Sequence, residues 1–260
     1  MTSTYAHAIA VALLIGCSVS ATDPSELKYP IISNPAPITM PESLLHRYAL
    51  DAYRLAARHM QATGMTDVVI PDDLHRSILN ALGYIYSAVD LPARDSIVDR
   101  YDIHTFPNPT LDEVLLFGLD TSCAWVSRLA AGTIPTDHPG VDSLLRSYGL
   151  AVREVSGIGG TRFVLLRSAT PLHIAALARR FNGIECLAGA EPNGSVGDGD
   201  DIRAEADGNA WKITYSLGWG DCPAGCIHRH FWHFRVRADG FVEYLGSGGS
   251  PIPAGDPRVH

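Results

Sequence analysis

Between Trp219 and Phe234 the chain places Cys222, Cys226, His228, His230 and His233 within sixteen residues. Thiols and imidazoles cross-link, ligate metals and move protons. Three chemistries fit this spacing. Cys222 and Cys226 can close a small disulfide loop, shaped by Pro223 and Gly225. Both thiolates with His228 and His230 can instead form a tetrahedral zinc or copper site, because Cys-x3-Cys and His-x-His are workable ligand spacings. In the third, one cysteine is a nucleophile and a histidine its base. An oxidising compartment favours the disulfide, since oxidation removes the thiolate that the other two need.

The compartment is suggested by the N-terminus. Residues 9–15 form an apolar run too short to span a bilayer and of the length of a signal-peptide core. Cleavage after Ala21 gives residues 1–21 as the signal. Leu14-Ile-Gly-Cys17 also resembles a bacterial lipobox, which implies a lipid on Cys17 as the sole membrane attachment. Either route exports the chain. Cys123, Cys186, Cys222 and Cys226 then remain, an even number that predicts two disulfides.

Other chemistries find little footing. No Gly-x-Ser-x-Gly, His-Glu-x-x-His or phosphate-binding glycine loop occurs, so the reading leans away from an enzyme and assigns no catalytic residue and no cofactor. Lys28 and Lys212 are the only lysines and the net charge is −8, which excludes the basic stripe a nucleic acid requires. Asp198, Asp200 and Asp201 lack the twelve-residue spacing of an EF-hand and read as a polar turn. His46, His59 and His75 have no second ligand at a useful offset.

The elements that must position these groups follow from periodicity. Residues 22–41 are rich in Pro, Ser and Asn and read as a tether. Apolar residues at helical spacing predict a helical pair within 42–110, over about 41–64 and 72–86, followed by a Pro-rich surface crossing at 91–109. Residues 111–193 read as strand, helix, strand, strand, helix, strand, with the last strand at 184–188. That order is the ferredoxin-like split βαβ arrangement. Its first and last strands are neighbours, which makes Cys123 and Cys186 the second disulfide pair. Over 198–246 the period is two: Trp211, Ile213, Tyr215, Leu217 and Trp219 alternate with smaller or polar residues, predicting an antiparallel meander. In its third strand Cys226, His228, His230, Trp232 and Phe234 share the inward face. Residues 247–260 read as a loose tail. The fold class is α+β.

One stretch also resembles a known family. Val141-Asp-Ser-Leu-Leu-Arg-Ser-Tyr-Gly-Leu150, the strand pair around Gly160, the helix Pro171 to Ala178, and Gly183-Ile-Glu-Cys-Leu-Ala-Gly-Ala-Glu-Pro-Asn193 are similar to the prodomain of subtilisin-like serine proteases. The resemblance implies a ferredoxin-like fold whose sheet lies against the protease. It also implies that the chain after the last strand enters the active-site cleft as a product-like inhibitor. The contacting residues would be Glu191, Pro192, Asn193 and Gly194, and the partner a subtilisin-like protease. No protease domain follows in this chain. The Gly-Trp-Gly-Asp-Cys-Pro-Ala-Gly-Cys block ending at Cys226 resembles a segment of uncharacterised exported bacterial proteins.

Overall fold

Proline opens the first two long helices. Pro41 and Pro71 hold extended backbone immediately before them, where a missing N–H costs nothing. The computed structural model describes residues 31–158 and 161–253. A short strand, β1 (Ile31–Ser33), precedes α1 (Glu42–Ala62) and α2 (Asp72–Ser87). Tyr48, Ala52, Leu55, Ala56 and Met60 recur at helical spacing on α1, as Ile78, Ala81, Leu82 and Ile85 do on α2, and all are buried. A short helix, α3 (Pro92–Asp95), runs into one π-helical turn over Ser96–Arg100.

The middle of the chain forms β2 (Glu113–Leu119), α4 (Ala124–Ala130), α5 (Pro139–Ser147), β3 (Leu150–Ile158), β4 (Thr161–Ser168), α6 (Ile174–Arg180) and β5 (Gly189–Pro192). The sheet order is β3-β4-β2-β5, all antiparallel. This is the ferredoxin-like order, with first and last strands side by side. Val114, Leu116, Val164 and Leu166 face the three helices and are buried with Val126, Leu129, Val141, Leu145 and Leu177.

The remainder is β6 (Asp201–Asp207), β7 (Ala210–Trp219), β8 (His228–Arg237) and β9 (Val242–Gly249). With β1 they form one sheet ordered β1-β9-β8-β7-β6. Register places Ile213 opposite Phe234 and Tyr215 opposite Trp232, and these side chains pack beneath α1 and α2 in one core. Each fully buried Leu, Ile or Phe contributes about 1.5–3 kcal/mol. That shared burial joins segments more than a hundred residues apart.

The fold is therefore α+β, as the periodicities predict, but its organisation differs from three units in series. The helical region and the meander are one domain, and residues 111–193 are an insertion with a second core, which also takes in Val68 from the α1–α2 connection. Four local expectations are corrected. The tether contributes β1, because Ile31 to Ser33 pair with Tyr244 to Val242 at an otherwise open edge. The expected surface crossing carries buried Ala93, Ile97, Tyr101 and Ile103 and belongs to the core. The last strand of the insertion is Gly189–Pro192, not 184–188, since Cys186 sits at φ 67° and cannot continue a strand. The expected tail begins later, because β9 runs to Gly249. The signal segment and Cys17 lie outside the described residues.

Candidate functional site

The Cys/His cluster is built around Asp198. Cys222 and Cys226 are disulfide-bonded with Cα atoms 3.9 Å apart. The Asp198 N–H donates to the Cys222 carbonyl (2.9 Å), and its carboxylate accepts the Cys226 N–H (3.2 Å), the Gly199 N–H (2.8 Å) and the Arg229 guanidinium. The hydrogen bond from Arg229 holds the Asp198 carboxyl below the usual carboxylate range. Asp200 accepts the Gly218 N–H (2.8 Å), and Asp201 takes the Phe106 N–H and Arg58 (both 2.9 Å). These carboxylates pin the turn and tie it to α1.

The histidines do not converge with the cysteines. His228 is on the inward face by register, but it lies beyond the edge of the core, exposed and stacked on Trp219 at 5.6 Å. His230 is half-buried and places Nδ1 3.0 Å from the Ser250 carbonyl. His233, on the opposite face, shares a hydrogen bond with Thr214 (3.0 Å). With both sulfurs paired, Cys222 and Cys226 supply no thiolate. Cys123 and Cys186 are likewise bonded, with Cα atoms 6.4 Å apart. Asp120 lies beside them, all three ligand-type atoms falling within 4.8 Å, and there too the sulfurs are already spent on each other. His75 stacks on Tyr53 (3.7 Å) and His59 meets the edge of Trp211 (5.4 Å).

The second expected site, the insertion, presents a different surface. Its sheet has one face on the helices and one that joins neither core. On the second face Leu115 stands opposite Leu165 and Phe117 opposite Phe163, two directly facing apolar pairs that remain half-exposed. Glu113 and Arg167 continue the face at one end, where Glu113 pairs with Arg153 and Arg167 with Asp112 (2.7 Å). Glycines make the patch possible. A Cβ on Gly189 would come 2.6 Å from Phe117 Cζ, and one on Gly118 would come 2.3 Å from Ala188 Cβ. The Phe117 ring lies across β5 only because Gly189 has no side chain.

The segment expected to enter a protease cleft is part of this sheet. Glu191 and Pro192 pair with Leu115 and Val114 in β5. The Asn193 N–H donates to the Glu113 carbonyl (3.1 Å) and its amide to the Glu113 carboxylate (2.6 Å). Gly194 packs against Asn108. This corrects the free arm: Glu191, Pro192 and Asn193 are held by backbone pairing, and the chain is held again at Asp198. Between these points Ser195 and Val196 stand out, Val196 with 96% of its surface exposed. β5 is an edge strand, but it is short and Pro192 lacks a donor, which blunts it for added strands.

The facing apolar pairs were hidden in the sequence because β2 reads as a continuous apolar run with no polar side. No family model, curated protein or solved structure matches the chain. The paired cysteines fit an oxidising, non-cytoplasmic environment. No helix among the described residues is long and apolar enough to cross a membrane.

Proposed function

We propose that this is an exported, non-enzymatic binding protein whose inserted domain docks a subtilisin-like protease through the open sheet face. The observation that carries this reading is the pair of facing apolar pairs, Leu115–Leu165 and Phe117–Phe163, left uncovered by the helices and by the meander. A patch of this composition, rimmed by ion pairs, has the anatomy of a protein interface, with an apolar centre and a polar border. The choice of partner rests on the prodomain resemblance of residues 141–193 and on the ferredoxin-like strand order. Because the chain after β5 is tied at both ends, the part offered to an active site is the loop 194–197 rather than a free arm. Export rests on the apolar run at 9–15 and on the two disulfides, with any membrane contact made through a lipid on Cys17.

The test is an inhibition assay against a panel of subtilisin-type proteases, with the cleavage products mapped. Saturable inhibition that disappears in Phe163→Asp supports the reading. Absence of both inhibition and cleavage near Asn193 removes it. Intact mass of the mature protein, before and after reduction, reports export, lipid and both disulfides together.

A further inference from the structure

A cleft of about 630 Å³ lies where the two domains meet. Its walls come from α1, from the strand by which the chain enters the insertion, from the β4–α6 loop and from the segment by which it leaves. The charged side chains around it are unequal in their pairing. Asp112 is engaged by Arg167 and Thr110, and Glu113 by Arg153 and Asn193. Arg54 is different. Its one hydrogen bond goes to Thr105 Oγ1 (2.6 Å), its Nε is buried without a partner, and among the described residues it forms no ion pair.

That bond also fixes where the guanidinium sits. Thr105 in turn donates to Asp51, which accepts the Thr105 N–H (2.9 Å) and hydroxyl (2.6 Å) and contacts His104 Nδ1 (2.5 Å). The arginine is thus held through Nη1, and among the described residues its Nη2 has no acceptor. Burial also lowers its pKa, as expected of a cation withdrawn from water. Leu50, Leu111, Pro107 and Pro171 supply apolar wall around it.

We propose that this cleft binds a small organic carboxylate, its charged end on Arg54 and its apolar body along Leu50, Leu111 and the two prolines. A guanidinium recognises a carboxylate through charge-assisted hydrogen bonds that are stronger than neutral ones. One unpaired cation matches one negative charge, which suits a carboxylate better than a phosphate dianion. The ion pairs of Asp112 with Arg167 and of Glu113 with Arg153 reduce the repulsion these carboxylates would otherwise impose. The cleft shares Glu113, Arg167, Asn193 and Gly194 with the proposed protease surface, but hexanoate is titrated without protease, so its outcome is read independently of docking.

The probe is hexanoate, titrated calorimetrically into the full folded protein beside hexanamide, its uncharged analogue. Hexanoate is expected to bind saturably with a Kd of about 1 mM, the range open to a ligand of so few atoms. Hexanamide is expected to bind at least about tenfold more weakly, the worth of one charge-assisted contact. Arg54→Gln should lose hexanoate binding. Since Arg54 also supports Thr105, Leu50→Glu serves as a second variant. It adds an anion to an exposed position of the cleft wall and should weaken hexanoate by a larger factor than hexanamide, which loses only the apolar contact. Equal binding of the two probes, undiminished binding by both variants, or no saturable binding of hexanoate to the native chain overturns the proposal.

Discussion

The ring of Phe117 lies over the backbone of Gly189, its register partner on the neighbouring edge strand, so closely that a Cβ at residue 189 would fall 2.6 Å from the ring. This contact links the shape of the open face to β5, the edge strand that carries Glu191 and Pro192. Gly189→Ala is expected to push Phe117 out of place and cost about 1–3 kcal/mol, the usual scale for overfilling a packed site. Urea denaturation measures the loss, and an unchanged midpoint would show that the ring moves freely.

Phe163→Asp addresses the same face from the facing strand. Phe163 is half-exposed and joins neither core, so stability should change by less than about 1 kcal/mol. Protease inhibition, measured in parallel, should fall at least about tenfold if the side chain is an interface anchor. A large loss of stability would mean the face is packed rather than open.

The two disulfides should differ in weight. Cys123 and Cys186 are 63 residues apart and Cys222 and Cys226 only four. In the chain-entropy description the first is worth about 4 kcal/mol and the second about 2 kcal/mol. Serine replacement of each pair, followed by chemical denaturation, should reproduce that order. The reverse order would place the main constraint in the Asp198 turn.

His173 carries a pH prediction. It is 1% exposed, its Nδ1–H donates to the Asp67 carbonyl (3.1 Å), and its backbone N–H donates to the Val68 carbonyl (2.9 Å). It thereby clasps α6 to the connection between α1 and α2. Burial lowers its pKa below the ordinary value. A depressed histidine favours the fold fully above its unfolded pKa of about 6.5 and loses that contribution as pH falls towards the folded value. Stability should decline below about pH 6.5, and His173→Leu should flatten that decline while lowering stability at neutral pH. An unaltered slope in the variant would assign the decline to another group.

The loop 194–197 should be the first site of nicking by a trace of subtilisin, since Val196 is exposed between two tied points. No disulfide spans the nick, so denaturing gels should show two fragments even without reductant. Size-exclusion chromatography should still show one species, because α1, α2 and β6 to β9 share a core across the cut. Immediate separation would contradict that shared core.

Whatever is local in period or in covalent chemistry could be read from the residues alone. Alternation from Trp211 to Trp219 specifies β7, and helical spacing from Leu44 to His59 specifies α1. The order of elements over 111–193 specifies the split βαβ arrangement, and that arrangement brings Cys123 to Cys186. Which buried face meets which emerged from the packing of distant segments. Nothing between Tyr48 and Tyr215 announces that they share a core, because burial is satisfied by any complementary apolar surface, whatever its distance along the chain. The displacement of the last strand to Gly189–Pro192 depends on a left-handed Cys186, a conformation its residue type does not advertise. The surroundings of Arg54 were equally hidden, since a charge in sequence acquires its environment only when segments from both domains close around it.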